Sequence, residues 1–155
     1  MAWLLVRHAR AGSRKGWDGP DIERPLSKKG RRQGDGLVEI LEPYGVKRIL
    51  SSPYIRCTQT VKPLAEALGL EIEVRSELAE GAPVQDALAL VRQHAGTTAA
   101  FCTHGDVVPA VLEALARKGG VTLPADYDYA KGSVWVLEEV SGKVVSARYL
   151  PAPQT

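Results

Sequence analysis

Short apolar runs alternate with helical stripes along this chain, and that alternation restricts its fold more than any other feature. Residues 3–6 read as a buried strand, and a polar loop rich in Gly, Arg and Asp follows over 9–25. Ser27 is placed to cap a helix reaching about Glu42, with Leu37, Val38 and Leu41 as its apolar stripe, although Gly30, Gly34 and Gly36 weaken it. Residues 46–50 form the next strand, and Ser52-Pro53 opens a helix that runs to Leu68, with Gly69 just past its end. A short strand at 71–74, a helix at 84–94, a strand at 98–103 and a helix at 106–118 come next. Strands at 133–139 and 143–150 flank the turn signal Ser141-Gly142. The order β-α-β-α-β-α-β-α-β-β predicts an α/β protein, a three-layer α/β/α sandwich with a mainly parallel central sheet. The final hairpin is expected to supply an antiparallel edge strand. A length of 155 residues predicts one domain spanning 1–155.

Composition narrows the partners. A net charge of +2 is too small to argue for a nucleic acid polymer. No apolar run approaches the ~20 residues that cross a bilayer, so no membrane partner is expected. The first residues enter a strand pattern without a basic flank or long apolar segment, which predicts no signal peptide. Cys57 and Cys102 do not make a disulfide framework. The expectation is a cytoplasmic protein with reduced thiols, monomeric or homodimeric.

Two histidines each follow an apolar run: Arg7-His8 after the first strand and His104-Gly105 after the strand at 98–103. The carboxyl ends of parallel strands line the ligand crevice of an open α/β sheet. A third strand end leads into Arg56, in the first turn of the second helix, where free N–H groups already favour an anion. Each feature alone has a plain reading: a surface Arg-His pair, a capped helix with a solvated arginine, a helix-capping Asp106 beside an incidental histidine. Together they put proton-active and cationic groups at three strand ends of one sheet. A neutral imidazole is a nucleophile toward phosphorus, and arginine forks fit phosphate oxygens bidentately. Lesser candidates are Arg10, assigned to a solvated loop, and Lys28, Lys29, Arg31 and Arg32, assigned to a solvated helix face rather than a polyanion site. No arginine stands six residues after either cysteine, so a cysteine-based phosphatase loop is unsupported.

In these motifs the chain resembles the histidine phosphatase (phosphoglycerate mutase-like) superfamily. Leu4-Leu5-Val6-Arg7-His8-Ala9 is similar to its R-H-G signature, with alanine in place of the glycine. Residues 24–33 are similar to its lead into the first helix, residues 52–60 to its S-x-x-x-R-x-x-Q-T signature, and His104-Gly105 to its second histidine. The length suits the short SixA-type branch. Arg7 to Ser13, Arg24-Pro25-Leu26, Arg56-Cys57 and residues 131–137 also resemble the C-terminal domain of actinobacterial MutT-type Nudix proteins, although no Nudix box lies within these residues.

The resemblance implies a metal-independent phosphatase that needs no cofactor. His8 would be the nucleophile, Arg7 and Arg56 would bind the transferring phosphoryl group, and His104 would hydrogen-bond it. Glu80, with Glu77 as substitute, would be the general acid; Arg24 and Gly105 would touch substrate. The implied substrate is a phosphomonoester, on a small molecule, a nucleotide or a phosphoprotein. Two alternatives stay open: a phosphohistidine protein phosphatase of the SixA type, and a non-catalytic phosphate-binding regulatory domain, which Ala9 keeps alive because alanine has less backbone freedom than glycine. A phosphomutase is disfavoured by the lack of longer insertions.

Overall fold

The computed structural model describes all 155 residues. Six strands form one sheet: β1 (Ala2–Arg7), β2 (Arg48–Ser51), β3 (Ile72–Val74), β4 (Ala99–Thr103), β5 (Val134–Val140) and β6 (Lys143–Leu150). Their order is β3-β2-β4-β1-β5-β6. The first four are mutually parallel, and β5 runs against both β1 and β6. Four helices, α1 (Lys28–Leu41), α2 (Ile55–Leu68), α3 (Val84–Arg92) and α4 (Val107–Gly119), complete the expected three layers.

Strand alternation divides the core. Trp3 and Leu5 of β1 face α3 and α4, among Phe101, Leu90, Val111 and Leu112. Ala2, Leu4 and Val6 face α1 and α2, among Leu37, Leu41, Val61 and Leu64. With both faces covered, the parallel strands read as unbroken apolar runs. Truncating a fully buried residue such as Leu64 to alanine is expected to cost about 2–5 kcal/mol.

Local chemistry sets the helix ends. Ser27 caps α1, its hydroxyl accepting the Gly30 N–H at 3.1 Å. Gly69 and Gly120 stop α2 and α4 in the left-handed region. One expectation is corrected, and one plain reading is set aside. Helix α2 starts at Ile55 rather than at Ser52-Pro53, because the Ser52 hydroxyl accepts the Tyr54 N–H and bends the chain first. Asp106 stands at the N-cap of α4 without capping it; its carboxylate instead accepts the Gly81 N–H at 2.8 Å.

Candidate active site

Strands β2, β4 and β1 are neighbours, so their carboxyl ends form one short ledge. The ladder continues one residue past each strand. The His8 N–H donates to the Thr103 carbonyl at 3.0 Å, and the Ser52 N–H to the Cys102 carbonyl at 2.9 Å. That places Ser52, His104 and His8 side by side. The two imidazole centroids lie 5.3 Å apart, in an edge arrangement.

His8 is buried, and its Nδ1 lies 2.8 Å from the Ala9 carbonyl. That oxygen can only accept, so Nδ1 carries the hydrogen and Nε2 keeps a free lone pair. Burial pushes the imidazole down from 6.5 to about 3; the Ala9 hydrogen bond opposes this, and the charges of His104, Arg56 and Arg7 reinforce it. His8 is therefore neutral at physiological pH.

His104 is held from behind. Its Nε2 meets the Ser52 hydroxyl at 2.8 Å and the Cys57 sulfur at 3.5 Å, while Tyr54 packs edge-on at 4.7 Å. Its Nδ1 is buried without a partner, as are Nε of Arg7 and of Arg56. Orphaned buried polar atoms on three converging residues call for an external group, and all three side chains can donate.

Arg56 is 1% exposed. Its guanidinium donates to the Asp21 backbone oxygen at 3.0 Å and the Asp21 carboxylate at 3.2 Å, lies 3.6 Å from Glu80, and stacks over Tyr54. Arg7 donates to the Tyr129 carbonyl at 2.9 Å. Arg24 is buried beside them, bonded to Asp21 at 3.0 Å and to the Gly12 carbonyl at 2.5 Å.

The signature at 52–60 has a physical account. Ser52 fixes His104, Arg56 reaches the cavity, and Gln59 accepts the Leu26 N–H at 2.8 Å. Thr60 accepts the Ala9 N–H at 2.9 Å and donates to the Arg56 carbonyl at 2.7 Å. Ala9 sits fully buried and its φ is not positive, so the alanine carries no backbone strain there.

A cavity of about 560 Å³ opens over this ledge. Arg7, His8, Arg24, Arg56, Glu80 and Gly105, all named from sequence, line it. Glu77 does not; its carboxylate pairs with Arg75 at 2.7 Å. Sequence reasoning missed Asp21, Tyr54, Thr60 and Lys131. Tyr54, Thr60 and Lys131 lie inside motifs that carried the resemblance, and that was the available signal. His94 plays a structural part, its carbonyl accepting the Trp3 indole N–H at 3.1 Å. The lining is rich in arginine and poor in carboxylates, unlike the all-oxygen ligand sets of magnesium or calcium. No helix is long and apolar enough to cross a membrane.

The profile of the histidine phosphatase superfamily (branch 1) matches residues 3–83, and the chain belongs to that superfamily. The 8-oxo-(d)GTP phosphatase of Mycolicibacterium smegmatis is 36% identical over 155 residues, which are 97% of this chain and 48% of that protein. The chain thus spans about half the length of this curated relative. The protein histidine phosphatase SixA, solved with tungstate, superposes with a TM-score of 0.75 at 20% identity, over 97% of this chain and 94% of that one. A mycobacterial glucosyl-3-phosphoglycerate phosphatase does so with 0.72 at 18% identity, over 96% and 95%. At such identities these structures share the fold. Family and relatives alike carry phosphatase names.

Proposed function

We propose that this chain hydrolyses phosphomonoesters through a phosphohistidine at His8. The observation that carries the reading is the His8 imidazole itself: buried, neutral, oriented by the Ala9 carbonyl, beside Arg7 and Arg56 in the cavity wall and against the His104 ring, which lies behind that wall. Nε2 attacks phosphorus as the bond to the ester oxygen breaks in line. Arg7, Arg56 and the Nδ1–H of His104 hold the phosphoryl oxygens as charge spreads over them. A Ser52 hydroxyl donating to Nε2 of His104 leaves that hydrogen on Nδ1.

Glu80 gives its proton to the departing oxygen. In the second half a water attacks phosphorus, Glu80 takes the water's proton, and the P–N bond breaks. His8 returns neutral, its Nδ1–H retained by Ala9 throughout. The cavity wall supports Glu80 over Glu77 for this task. Gly105 leaves room for Arg7 and Arg24 steadies Asp21, and both line the cavity in which they are proposed to touch substrate.

The same reading takes residues 1–155 as one catalytic domain acting on a phosphorylated small molecule or a phosphoprotein. Because the M. smegmatis relative is named for a nucleotide, nucleotides belong in the panel. The test is phosphate release from a panel of phosphoesters by wild type and His8→Ala. Turnover by wild type and background release by the variant are expected; an active variant contradicts the reading.

A further inference from the structure

Arg7 and Arg56 serve the reacting phosphoryl group, yet the cavity continues past them. Arg10 and Lys131 line it, and they also line an adjoining cavity of about 350 Å³ completed by Lys29 and Gln33. Lys29 is exposed on α1, as the sequence reading has it, and it also borders this opening.

The two segments meet at Gln33. Its side-chain oxygen accepts the Arg10 N–H at 3.0 Å, and its Cδ lies 3.2 Å from where a Cβ on Gly132 would stand. Gly132, at φ +84°, donates its N–H to the carbonyls of Arg7 and His8, each at 3.1 Å. Lys131 is thereby set beside the Arg7–His8 peptide. The Arg10 backbone is held as firmly, with its side chain exposed. Its carbonyl accepts the Ser27 N–H at 3.0 Å and hydroxyl at 3.1 Å, and a Cβ on Gly30 would come within 1.9 Å of it.

The carboxylates at the mouth are already engaged. Asp21 pairs with Arg14, Arg24 and Arg56, Glu80 with Arg14 and Arg56, and Asp106 accepts the Gly81 N–H. Arg10, Lys29 and Lys131 have no ion pair. Burial, and then the charges of Arg7, Arg24, Arg10 and Arg14, push the Lys131 ammonium below its usual range. In a chain of net charge +2 this is a concentrated positive excess, larger than one phosphoryl group requires.

We infer that Arg10 and Lys131, with Lys29 beyond them, form a subsite for a second phosphate on the substrate, next to the one His8 attacks. The inference rests on the phosphatase reading of His8. The second phosphate is either linked to the first as a diphosphate or carried on a separate hydroxyl. In a diphosphate the leaving oxygen already belongs to a phosphate and needs no proton; in a bisphosphate it is an alkoxide and takes the proton of Glu80.

Wild type and R10Q/K131M are assayed on a nucleoside diphosphate against its monophosphate, and on a sugar bisphosphate against its monophosphate. Wild type is expected to favour the doubly phosphorylated member of one pair on the order of tenfold in kcat/KM, the scale of a charge-assisted contact. R10Q/K131M removes that selectivity, and the pair concerned distinguishes diphosphate from bisphosphate. R117Q/K118Q, which removes two charges from the last turn of α4, keeps it. A wild-type ratio near one, or a ratio that both variants lower equally, overturns the subsite while leaving the phosphatase reading intact. Calorimetry with pyrophosphate and orthophosphate decides the matter independently of turnover. Pyrophosphate should bind more tightly to wild type and lose that advantage in R10Q/K131M; an advantage retained there overturns the subsite.

Discussion

The Cβ that Gly105 lacks would stand 2.6 Å from a terminal nitrogen of Arg7. The residue after His104 therefore leaves the space in which the Arg7 guanidinium lies. Its φ is outside the left-handed region, so the backbone accepts alanine, and the long arginine side chain is what must move. Gly105→Ala is expected to lower kcat/KM by about 10–100-fold, the effect of a misplacement of roughly 1 Å, with little change in Tm. Kinetics paired with a thermal melt check this; a fully active variant shows that the position of Arg7 is unimportant.

Asp21 joins the 3-10 turn at Asp21–Glu23 to two buried arginines, Arg24 and Arg56. Slight burial raises its carboxyl, but the Arg24 hydrogen bond and the Arg56 charge outweigh this and hold it below the usual range. Asp21→Asn keeps the shape and loses the charge. We expect kcat/KM to fall about tenfold as Arg56 loses its anchor. Arg56→Lys keeps the charge and loses the planar fork, and a drop of about 10²–10³-fold is expected. Equal activity of Arg56→Lys and wild type in steady-state assays argues against a bidentate phosphoryl contact.

Glu80 separates leaving groups. Glu80→Gln should slow hydrolysis of alkyl phosphates by about 10²–10⁴-fold. It should slow p-nitrophenyl phosphate and phosphohistidine far less, because those leaving groups depart without a strong acid. Glu77→Gln should leave the alkyl rate near wild type, its carboxylate being tied to Arg75 away from the cavity. Equal losses on all three substrates would remove Glu80 from the acid role.

The neutral His8 makes stability depend on pH. The unfolded histidine takes a proton near pH 6.5, whereas the folded one resists it to about pH 3. Below 6.5 the unfolded state binds more protons, so stability is full above that pH and falls as pH drops toward 3. His8→Gln should flatten this part of the profile. Thermal melts between pH 7.5 and 4.5 give the comparison, and parallel curves for the two proteins contradict the assignment.

Strands and helices were legible because burial imposes period. Residues 143–150 were placed as a strand with the bounds that β6 has. The start of α2 was not, since the Ser52 hydroxyl accepts the Tyr54 N–H and turns the chain while it contacts His104, 52 residues away. His8, His104 and Arg56 could be named because each follows a strand end, and strand ends converge by topology. Lys131 reaches the cavity, and Asp21 reaches the arginines behind it, from irregular segments whose placement depends on long-range bonds, such as that of Arg56 to Asp21. No periodicity announces such contacts.

The central claim is a covalent phosphoryl group on His8. Wild-type protein mixed with a labelled phosphoester and quenched within milliseconds should retain acid-labile, alkali-stable label that mass spectrometry places on His8. His8→Ala should retain none and release phosphate at the background rate. Label on another residue, or multiple turnovers by His8→Ala, would contradict the account.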